Sequence, residues 1–134
     1  LIKVFAPDVL VTQLGIDSYH ADPLTHLQVT TGGYVDAVRE LAALGLPWLG
    51  LGGGGYDLMA VARAWSLAYG VMLDAEWPDP LPLGFALEHG VTNLRDDIRP
   101  QVPANVRLDV RRHTEETVAA VKEQIFPLHG LVGS

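Results

Sequence analysis

The sequence predicts a domain of the α/β class that is built on a βαβα unit with a parallel sheet. Two short apolar runs, residues 7–14 and 48–51, are typical of strands, and each precedes a longer segment whose apolar residues recur at helical spacing. The alternation of strand and helix calls for parallel strands joined by a right-handed crossover connection. Because both runs are largely apolar, we expect the strands to be buried on both faces of the sheet.

Composition excludes several classes of protein. The 134 residues are 49% hydrophobic and 19% charged, which predicts one domain with a substantial core and argues against disorder. A formal net charge of -7 without a basic cluster predicts no nucleic-acid partner and no membrane partner. The absence of cysteine excludes disulfides and thiolate metal sites. With no apolar run of membrane-spanning length and no signal peptide, we expect a cytoplasmic protein.

The first strand leads into a long polar loop and then a helix. The loop covers residues 15–31, and a loop of this length inside a compact domain is usually functional. Thr30 and Thr31 can cap a helix that runs to about Leu44. Gly45 then offers a left-handed stop, and Pro47 prevents the helix from continuing.

Four consecutive glycines, residues 52–55, follow the second strand directly. Such a run is costly in backbone entropy, so we expect it where the backbone turns sharply or lies against a ligand. Asp57 can cap the next helix, which is predicted to run from Leu58 to about Leu73. Tyr56 would then stand at the carboxyl edge of the sheet, where open α/β folds place their chemistry.

The rest of the chain has a different composition. Residues 1–74 are predicted to form the βαβα part, residues 75–112 an extended proline-rich segment, and residues 113–127 a terminal helix. Thr114 can cap that helix, and Pro127 ends it. Two strands are few for an independent α/β domain, and the chain begins at Leu1 without a methionine. We therefore expect a fragment of a single larger domain.

The glycine run is open to more than one interpretation. Gly50-x-Gly52-x-x-Gly55 matches the dinucleotide-binding pattern between a strand and a helix, but no strand ends at the acidic residue Asp74. A phosphate-binding P-loop is excluded because no Lys-Ser/Thr pair follows the glycines. A tight turn packed on the sheet and a nucleotide-binding loop over residues 50–55 both remain possible.

The long polar loop contains candidate metal ligands. Carboxylates and imidazoles are the ligands left to a cysteine-free protein, and Zn²⁺ accepts both. The candidates are Asp17, His20, Asp22 and His26. Each residue can equally cap a turn or lie at the surface, so the residue types alone do not decide between these roles.

Two stretches together resemble the histone deacetylase superfamily, and especially its bacterial members called acetoin utilization proteins. Residues 11–24 contain a Gln-x-Gly-x-Asp strand end and an Asp-Pro-Leu loop. Residues 51–57 contain Gly-Gly-Gly-Gly-Tyr, and Ala-Arg-x-Trp follows at residues 62–65. The motifs occur in the family's order and spacing, and the similarity is strong over residues 5–73.

The resemblance implies the C-terminal portion of an arginase/deacetylase-like parallel-sheet fold, from a zinc-dependent deacylase. Asp22 resembles the family's last aspartate ligand to Zn²⁺, with Fe²⁺ as a possible alternative metal. Tyr56 resembles the tyrosine that hydrogen-bonds the acetyl-lysine carbonyl. The implied substrate is an acetylated protein or a small acetylated amine. The residues implied to line the acyl-lysine channel are Gly53, Gly54, Gly55 and Val29.

The family pattern also contains residues that this sequence lacks. Two further zinc ligands of the family form an Asp-x-His pair, and its general base belongs to a His-His pair. The sequence contains neither. Because one carboxylate does not hold Zn²⁺ against water, we expect this fragment to be inactive alone. His20 and His26 match no family ligand, and Asp17 is expected to fix the loop by hydrogen bonds. The alternatives from other classes are the nucleotide-binding module and a non-catalytic interaction domain.

Overall fold

A computed structural model describes residues 1–97 and 100–131 of the chain. Contacts within the chain define two compact units, residues 8–100 and residues 1–7 together with 101–134. The elements in chain order are α1 (Ile2–Phe5), β1 (Leu10–Gln13), α2 (Thr31–Ala42), β2 (Trp48–Leu51), α3 (Leu58–Met72), α4 (Leu83–His89), α5 (Ala104–Ile125) and a 3₁₀ turn (Phe126–His129). No helix in the described ranges is both long and apolar enough to cross a membrane.

The larger unit contains the predicted parallel pair of strands. β1 and β2 are hydrogen-bonded in parallel, with Leu10 opposite Trp48 and Gln13 opposite Leu51. The intervening helix α2 packs against α3. The order of elements and the parallel pairing confirm the predicted βαβα arrangement over residues 8–72.

The sheet is covered on one face, so the expectation that both strands are buried on both faces is wrong for this chain. Burial alternates along each strand. The side chains of Val11 and Leu49, which face each other across the strands, are 58% and 53% exposed. The helices contact the opposite face, where Trp48 packs against the core and Gly50 lies against Met72.

Both predicted helix caps of this unit are confirmed. The hydroxyl of Thr30 accepts a hydrogen bond from the amide of Gly33, and Asp57 accepts from two amides in the first turn of α3. α2 ends at Ala42, slightly before its predicted end, and Gly45 has the expected positive φ of 66°. Such caps satisfy amide groups that have no partner within their helix.

The core lies between the two helices and the covered face of the sheet. Its buried residues come from the loop after β1, from α2, from α3 and from the segment after α4. They are Ile16, Tyr19, Tyr34, Val35, Val38, Ala60, Ala64, Leu67, Ala68 and Leu94. The presence of Leu94 shows that the proline-rich segment contributes to the core of this unit.

The predicted extended segment, residues 75–112, contains regular structure. α4 occupies Leu83–His89, and Pro80 and Asn93 form an isolated antiparallel bridge. Pro82 immediately precedes α4, a place where proline is tolerated because the first amides of a helix lack intrahelical partners. The prediction treated the prolines only as helix breakers, and this is why it missed α4.

The terminal helix starts earlier than predicted. α5 begins at Ala104, directly after Pro103, and not at His113. Thr114 is therefore not a cap, and its hydroxyl donates to the carbonyl of Val110 within the helix at 2.8 Å. The helix ends at Ile125, and Pro127 lies in the 3₁₀ turn that follows. α5 contributes no buried residue.

Candidate functional site

Asp22 is buried in the loop after β1, and both of its carboxylate oxygens accept hydrogen bonds. The residue is 6% exposed. Oδ1 accepts from the amide of Leu24 at 2.9 Å, and Oδ2 accepts from the amide of Tyr56 at 2.8 Å. The amide of Asp22 donates to the carbonyl of Tyr19 at 2.9 Å. The structure thus brings together Asp22 and Tyr56, two residues whose roles were predicted separately.

The backbone amide of Tyr56 is hydrogen-bonded, whereas its side chain is exposed to solvent. It follows the glycine run and precedes Asp57, the cap of α3. The side chain is 55% exposed, although the amide is fixed by Asp22. This arrangement anchors the chain and leaves the phenol available to a ligand.

The glycine run packs closely on the loop after β1. A β-carbon at Gly53 would collide with the side chain of Gln13, and one at Gly54 would collide with the carboxylate of Asp17. The carbonyl of Gly54 accepts from the amide of Ile16 at 2.7 Å. These contacts explain the need for glycine within the chain itself, as in the predicted tight turn.

Gly55 has a different constraint. Its φ of 150° lies in a region that favours glycine, and a β-carbon there would come within 2.9 Å of side-chain atoms of Val61 and Ile16. The role of Gly53, Gly54 and Gly55 in an acyl-lysine channel stays a prediction.

The amides at the start of α3 already have an acceptor. Oδ1 of Asp57 accepts from the amides of Met59 and Ala60, both at 3.0 Å. A nucleotide phosphate would need amides of this kind at the helix start. Because a carboxylate of the chain occupies them, the geometry does not favour the nucleotide-binding alternative.

A buried hydrogen-bonded network lies beside the loop that carries Asp22. The guanidinium of Arg63 donates to Oδ1 of Asp96 at 3.0 Å and to the hydroxyl of Tyr19 at 2.9 Å. The same hydroxyl donates to Oδ1 of Asp96 at 2.8 Å. The side chains of Arg63 and Asp96 are only 9% and 7% exposed. The network therefore joins α3 to the segment after α4 through the loop after β1.

Asp96 also binds the start of α2. Its Oδ2 accepts from the amide of Thr31 at 2.6 Å, and its own amide donates to the Thr31 hydroxyl at 2.9 Å. Burial alone would raise the pKa of the Asp96 carboxyl, but hydrogen bonds from Thr31 and Tyr19 and the charge of Arg63 hold it below its ordinary value. Asp96 is therefore ionised and fully hydrogen-bonded inside the folded unit.

The sequence matches the histone deacetylase domain family over residues 1–72, more than half of the chain. The chain belongs to this family. Membership confirms the family resemblance drawn from the motifs, and it implies the arginase/deacetylase-like fold. The described part of this deacetylase-domain chain shows two parallel strands of that fold, with α2 and α3 on one face.

The chain is similar to much longer proteins that carry the name histone deacetylase. Human "Histone deacetylase 1" and the Xenopus laevis "Probable histone deacetylase 1-B" are each 32% identical to it over 126 residues, which cover 94% of this chain and 25% of the relative. The Caenorhabditis elegans "Putative histone deacetylase 2" is 34% identical over 121 residues, 88% of this chain and 24% of the relative. The deacetylase-domain chain spans about a quarter of the length of these relatives.

The remaining predicted site residues of the deacetylase-domain chain lie around the same loop. Val29 is half-buried against the core and pairs with Tyr19 through a parallel bridge. The ring of His20 packs on Tyr19, with 4.3 Å between ring centroids, whereas His26 is exposed. The carbonyl of Asp17 accepts from the Thr25 hydroxyl. The pocket role of Val29 stays a prediction.

The described residues do not complete a metal site. Within residues 1–97 and 100–131, no three His, Asp or Glu side chains are grouped so that they could hold a metal ion. Asp22 is buried, and neither His20 nor His26 joins it in a hydrogen bond. Asp22 is thus a carboxylate anchored by two backbone amides, and the described residues complete no metal site around it.

One signal in the sequence does point to the buried network. Arg63 belongs to the Ala-Arg-x-Trp motif and falls on the same helical face as Ala60, Ala64 and Leu67, which are buried. A charged residue on a buried face needs a partner of opposite charge. The partner Asp96 lies in a segment without periodicity, and its part in the network is not predictable from sequence alone.

Proposed function

We propose that this chain supplies part of the active site of a zinc-dependent deacylase that hydrolyses N-acetyl-lysine-type amides. The observation that carries the proposal is the hydrogen bond from the Tyr56 amide to the Asp22 carboxylate. It joins the residue proposed as a metal ligand to the residue proposed to stabilise the oxyanion. The family and the names of the relatives support an acetylated substrate, either a protein or a small amine.

The geometry of Asp22 suits one ligand of a metal site. Each carboxylate oxygen accepts one hydrogen bond from a backbone amide, and an ionised carboxylate has further lone pairs to offer. Such outer hydrogen bonds orient a ligand before the metal binds. When bound, Zn²⁺ would polarise the amide carbonyl and lower the pKa of a bound water, and Fe²⁺ could take its place.

The chain's own residues then hold and orient the substrate. The exposed phenol of Tyr56 would donate a hydrogen bond to the oxygen on which negative charge develops, and the fixed backbone of Tyr56 would aim it. The backbone of the glycine run at 53–55 would border the acyl-lysine stem on the side away from Gln13 and Asp17, with Val29 as an apolar wall. A single carboxylate does not retain the metal, so we propose that the isolated chain is inactive.

Finer parts of the proposal rest on sequence alone. We propose a cytoplasmic protein of the acetoin utilization type that does not act on nucleic acid or membranes. The support is the acidic, cysteine-free composition and the motifs at residues 11–24 and 51–57.

The test is the metal content of the complete protein that contains this chain. We expect about one zinc per site in the unsubstituted protein, and loss of that zinc in the Asp22→Ala variant. The exposed Asp36→Ala variant is the control, since Asp36 pairs with Arg39 at the surface of α2. Full zinc content in Asp22→Ala would overturn the assignment of Asp22 and weaken the deacylase proposal.

A further inference from the structure

We propose that an apolar groove between α3 and the segment that follows it is a docking site for a short peptide segment of a partner protein. In that segment, bulky apolar side chains are followed by arginine or lysine. The groove has a volume of about 390 Å³ and is lined largely by apolar groups. Its lining includes neither Asp22 nor Tyr56, so peptide docking is a function separate from the proposed hydrolysis.

The indole of Trp77 forms one wall of the groove and is held rigidly. Its Nε1 donates to the carbonyl of Ser66 in α3 at 2.8 Å. The ring lies so close to Gly70 that a β-carbon there would come within 2.6 Å of Nε1. Trp77 nevertheless remains 37% exposed. A fixed aromatic surface of this kind suits binding, because little conformational freedom is lost when a partner covers it.

Three prolines, Pro78, Pro80 and Pro82, line the groove beside the indole. Each proline ring fixes its own φ. Hydrogen bonds hold the same segment in place, since the amide of Leu81 donates to the carbonyl of Thr92 at 2.8 Å. The groove is therefore formed before a partner arrives, which lowers the entropic cost of binding.

The connection that carries these prolines is acidic. Between α3 and α4 it contains Asp74, Glu76 and Asp79 and no lysine or arginine. Asp79 is paired with Arg95. Asp74 and Glu76 are exposed, and neither forms an ion pair in the described part of the chain. Because Glu76 directly precedes Trp77, a partner that covers the indole gains from a positive charge beside its apolar side chains.

The size of the groove favours a short segment over a folded surface. A cavity of about 390 Å³ holds a few side chains. Stable complexes of folded proteins bury roughly 1,200–2,000 Å² of surface, far more than one such groove provides. The expected partner is therefore an extended peptide segment that binds weakly and reversibly.

The test is the fluorescence anisotropy of a fluorescein-labelled peptide, with two leucines followed by three arginines, titrated with the complete protein that contains this chain. Arginine is used in place of lysine so that the probe is no product of a deacylase. Two control peptides carry serines in place of the leucines or glutamates in place of the arginines.

Three variants locate the binding site. Ser66→Gln places a longer side chain in the groove from an exposed position of α3. Glu76→Lys reverses the charge beside Trp77. Glu116→Lys on α5 is the matched control for that reversal, since Glu116 is also exposed and does not line the groove.

We expect the leucine–arginine peptide to bind with a dissociation constant in the micromolar range, and both control peptides to bind at least about tenfold more weakly. Ser66→Gln should weaken binding at least about tenfold, because its side chain occupies the groove. Glu76→Lys should weaken binding about three- to tenfold, and less so at high salt. Glu116→Lys should bind the peptide as the unsubstituted protein does.

Equal binding of all three peptides, or no binding at about 1 mM protein, would overturn the docking site. The proposed function would stand, because hydrolysis does not enter the measurement. Undiminished binding to folded Ser66→Gln would place the peptide elsewhere and overturn the site as well. If that variant does not fold, Glu76→Lys against Glu116→Lys decides. Self-association of the unsubstituted protein that Ser66→Gln abolishes would assign the groove to a second copy of the chain and overturn the peptide site.

Discussion

The backbone amide of Tyr56 donates a hydrogen bond of 2.8 Å to the carboxylate of Asp22, across 34 residues of sequence. The two residues follow different strands of one parallel pair, and the carboxyl ends of parallel strands meet at the same edge of a sheet. The contact uses the backbone of Tyr56, so the phenol remains exposed. The pair thus joins a buried carboxylate to a residue whose side chain is exposed to solvent.

Replacement of Tyr56 by phenylalanine should affect turnover and leave stability and metal content unchanged. Loss of one hydrogen-bond donor to an oxyanion commonly lowers kcat on the order of 10²- to 10³-fold. The side chain is exposed, so we expect no change in thermal stability. Steady-state kinetics and zinc content of the complete protein test this.

The control for that variant is Tyr69→Phe, since Tyr69 is also an exposed tyrosine and lies within α3. It should retain full activity. A Tyr56→Phe protein with normal kcat would show that the phenol is not the oxyanion donor.

Replacement of Asp22 by asparagine should destabilise the fold as well as remove the metal. Asparagine has one acceptor oxygen, so either the Leu24 amide or the Tyr56 amide would face an NH₂ group. A buried amide left without an acceptor costs about 1–3 kcal/mol. Urea unfolding of the metal-free protein measures this effect separately from metal loss. Equal free energies of unfolding for variant and parent would contradict the buried hydrogen bonds described here.

Replacement of Gly54 by alanine should destabilise the protein, because the new methyl group would collide with the Asp17 carboxylate. Overpacking of this kind typically costs about 1–3 kcal/mol. Gly84 is the control, since nothing lies within 4 Å of a β-carbon at that position in α4. Gly84→Ala should stabilise by up to about 1 kcal/mol through helix propensity.

The measurement is the free energy of unfolding of Gly54→Ala and of Gly84→Ala, each compared with that of the unsubstituted protein. The double variant Gly54→Ala with Asp17→Ala should recover part of the loss, because the colliding carboxylate is gone. No recovery would mean that backbone conformation, and not the Asp17 contact, requires glycine at residue 54.

Acid should weaken the fold in part through Asp96. Folding lowers the pKa of its carboxyl below the ordinary value of 3.8, so its contribution is fully present above that pH and is lost as pH falls through the folded-state pKa. Asp96→Asn should therefore show less stability at neutral pH and a flatter decline below about pH 4. Unfolding free energies measured across this range, with Asp36→Asn beside them, provide the check. Parallel curves for Asp96→Asn and its parent would contradict the ionised buried carboxylate.

Two tyrosines should ionise late in the folded protein. Burial, with the hydrogen bond to Asp96, raises the pKa of Tyr19 from 10.0 to about 12, and burial raises that of Tyr34 to about 12. Because both pKa values are raised, the neutral phenols stabilise the fold below pH 10, and this contribution is lost as pH rises through about 12. Absorbance at high pH measures the formation of tyrosinate. The part of the absorbance change that occurs near pH 12 should be smaller in Tyr19→Phe and in Tyr34→Phe than in the unsubstituted protein. Unchanged titration curves would place these rings in solvent.

The elements of the βαβα part could be predicted because their signals are local. β2 is found at Trp48–Leu51 as predicted, and the Asp57 cap places the start of α3 at Leu58. Apolar periodicity and capping residues act over a few positions, so a sequence displays them directly. The same reasoning failed at α5, where Thr114 looked like a cap although Pro103 marks the true start.

The candidate site also has one part that could be predicted from sequence and one part that could not. Asp22 and Tyr56 were predicted from motifs, and the structure adds the hydrogen bond between them. The pairing of Arg63 with Asp96 spans 33 residues that include α4 and several prolines. No local pattern encodes such a pairing, because it depends on how the chain returns to the core after α4.

The open face of the sheet has a consequence for behaviour in solution. This face exposes the apolar side chains of Val11, Leu49 and Leu51 to water. Contact between water and apolar surface is unfavourable by about 25 cal/mol for each square ångström. Excluded salts such as sulfate increase this cost. The chain should therefore salt out at lower sulfate concentration than a variant with polar residues at these three positions, and its solubility should fall as temperature rises from the cold.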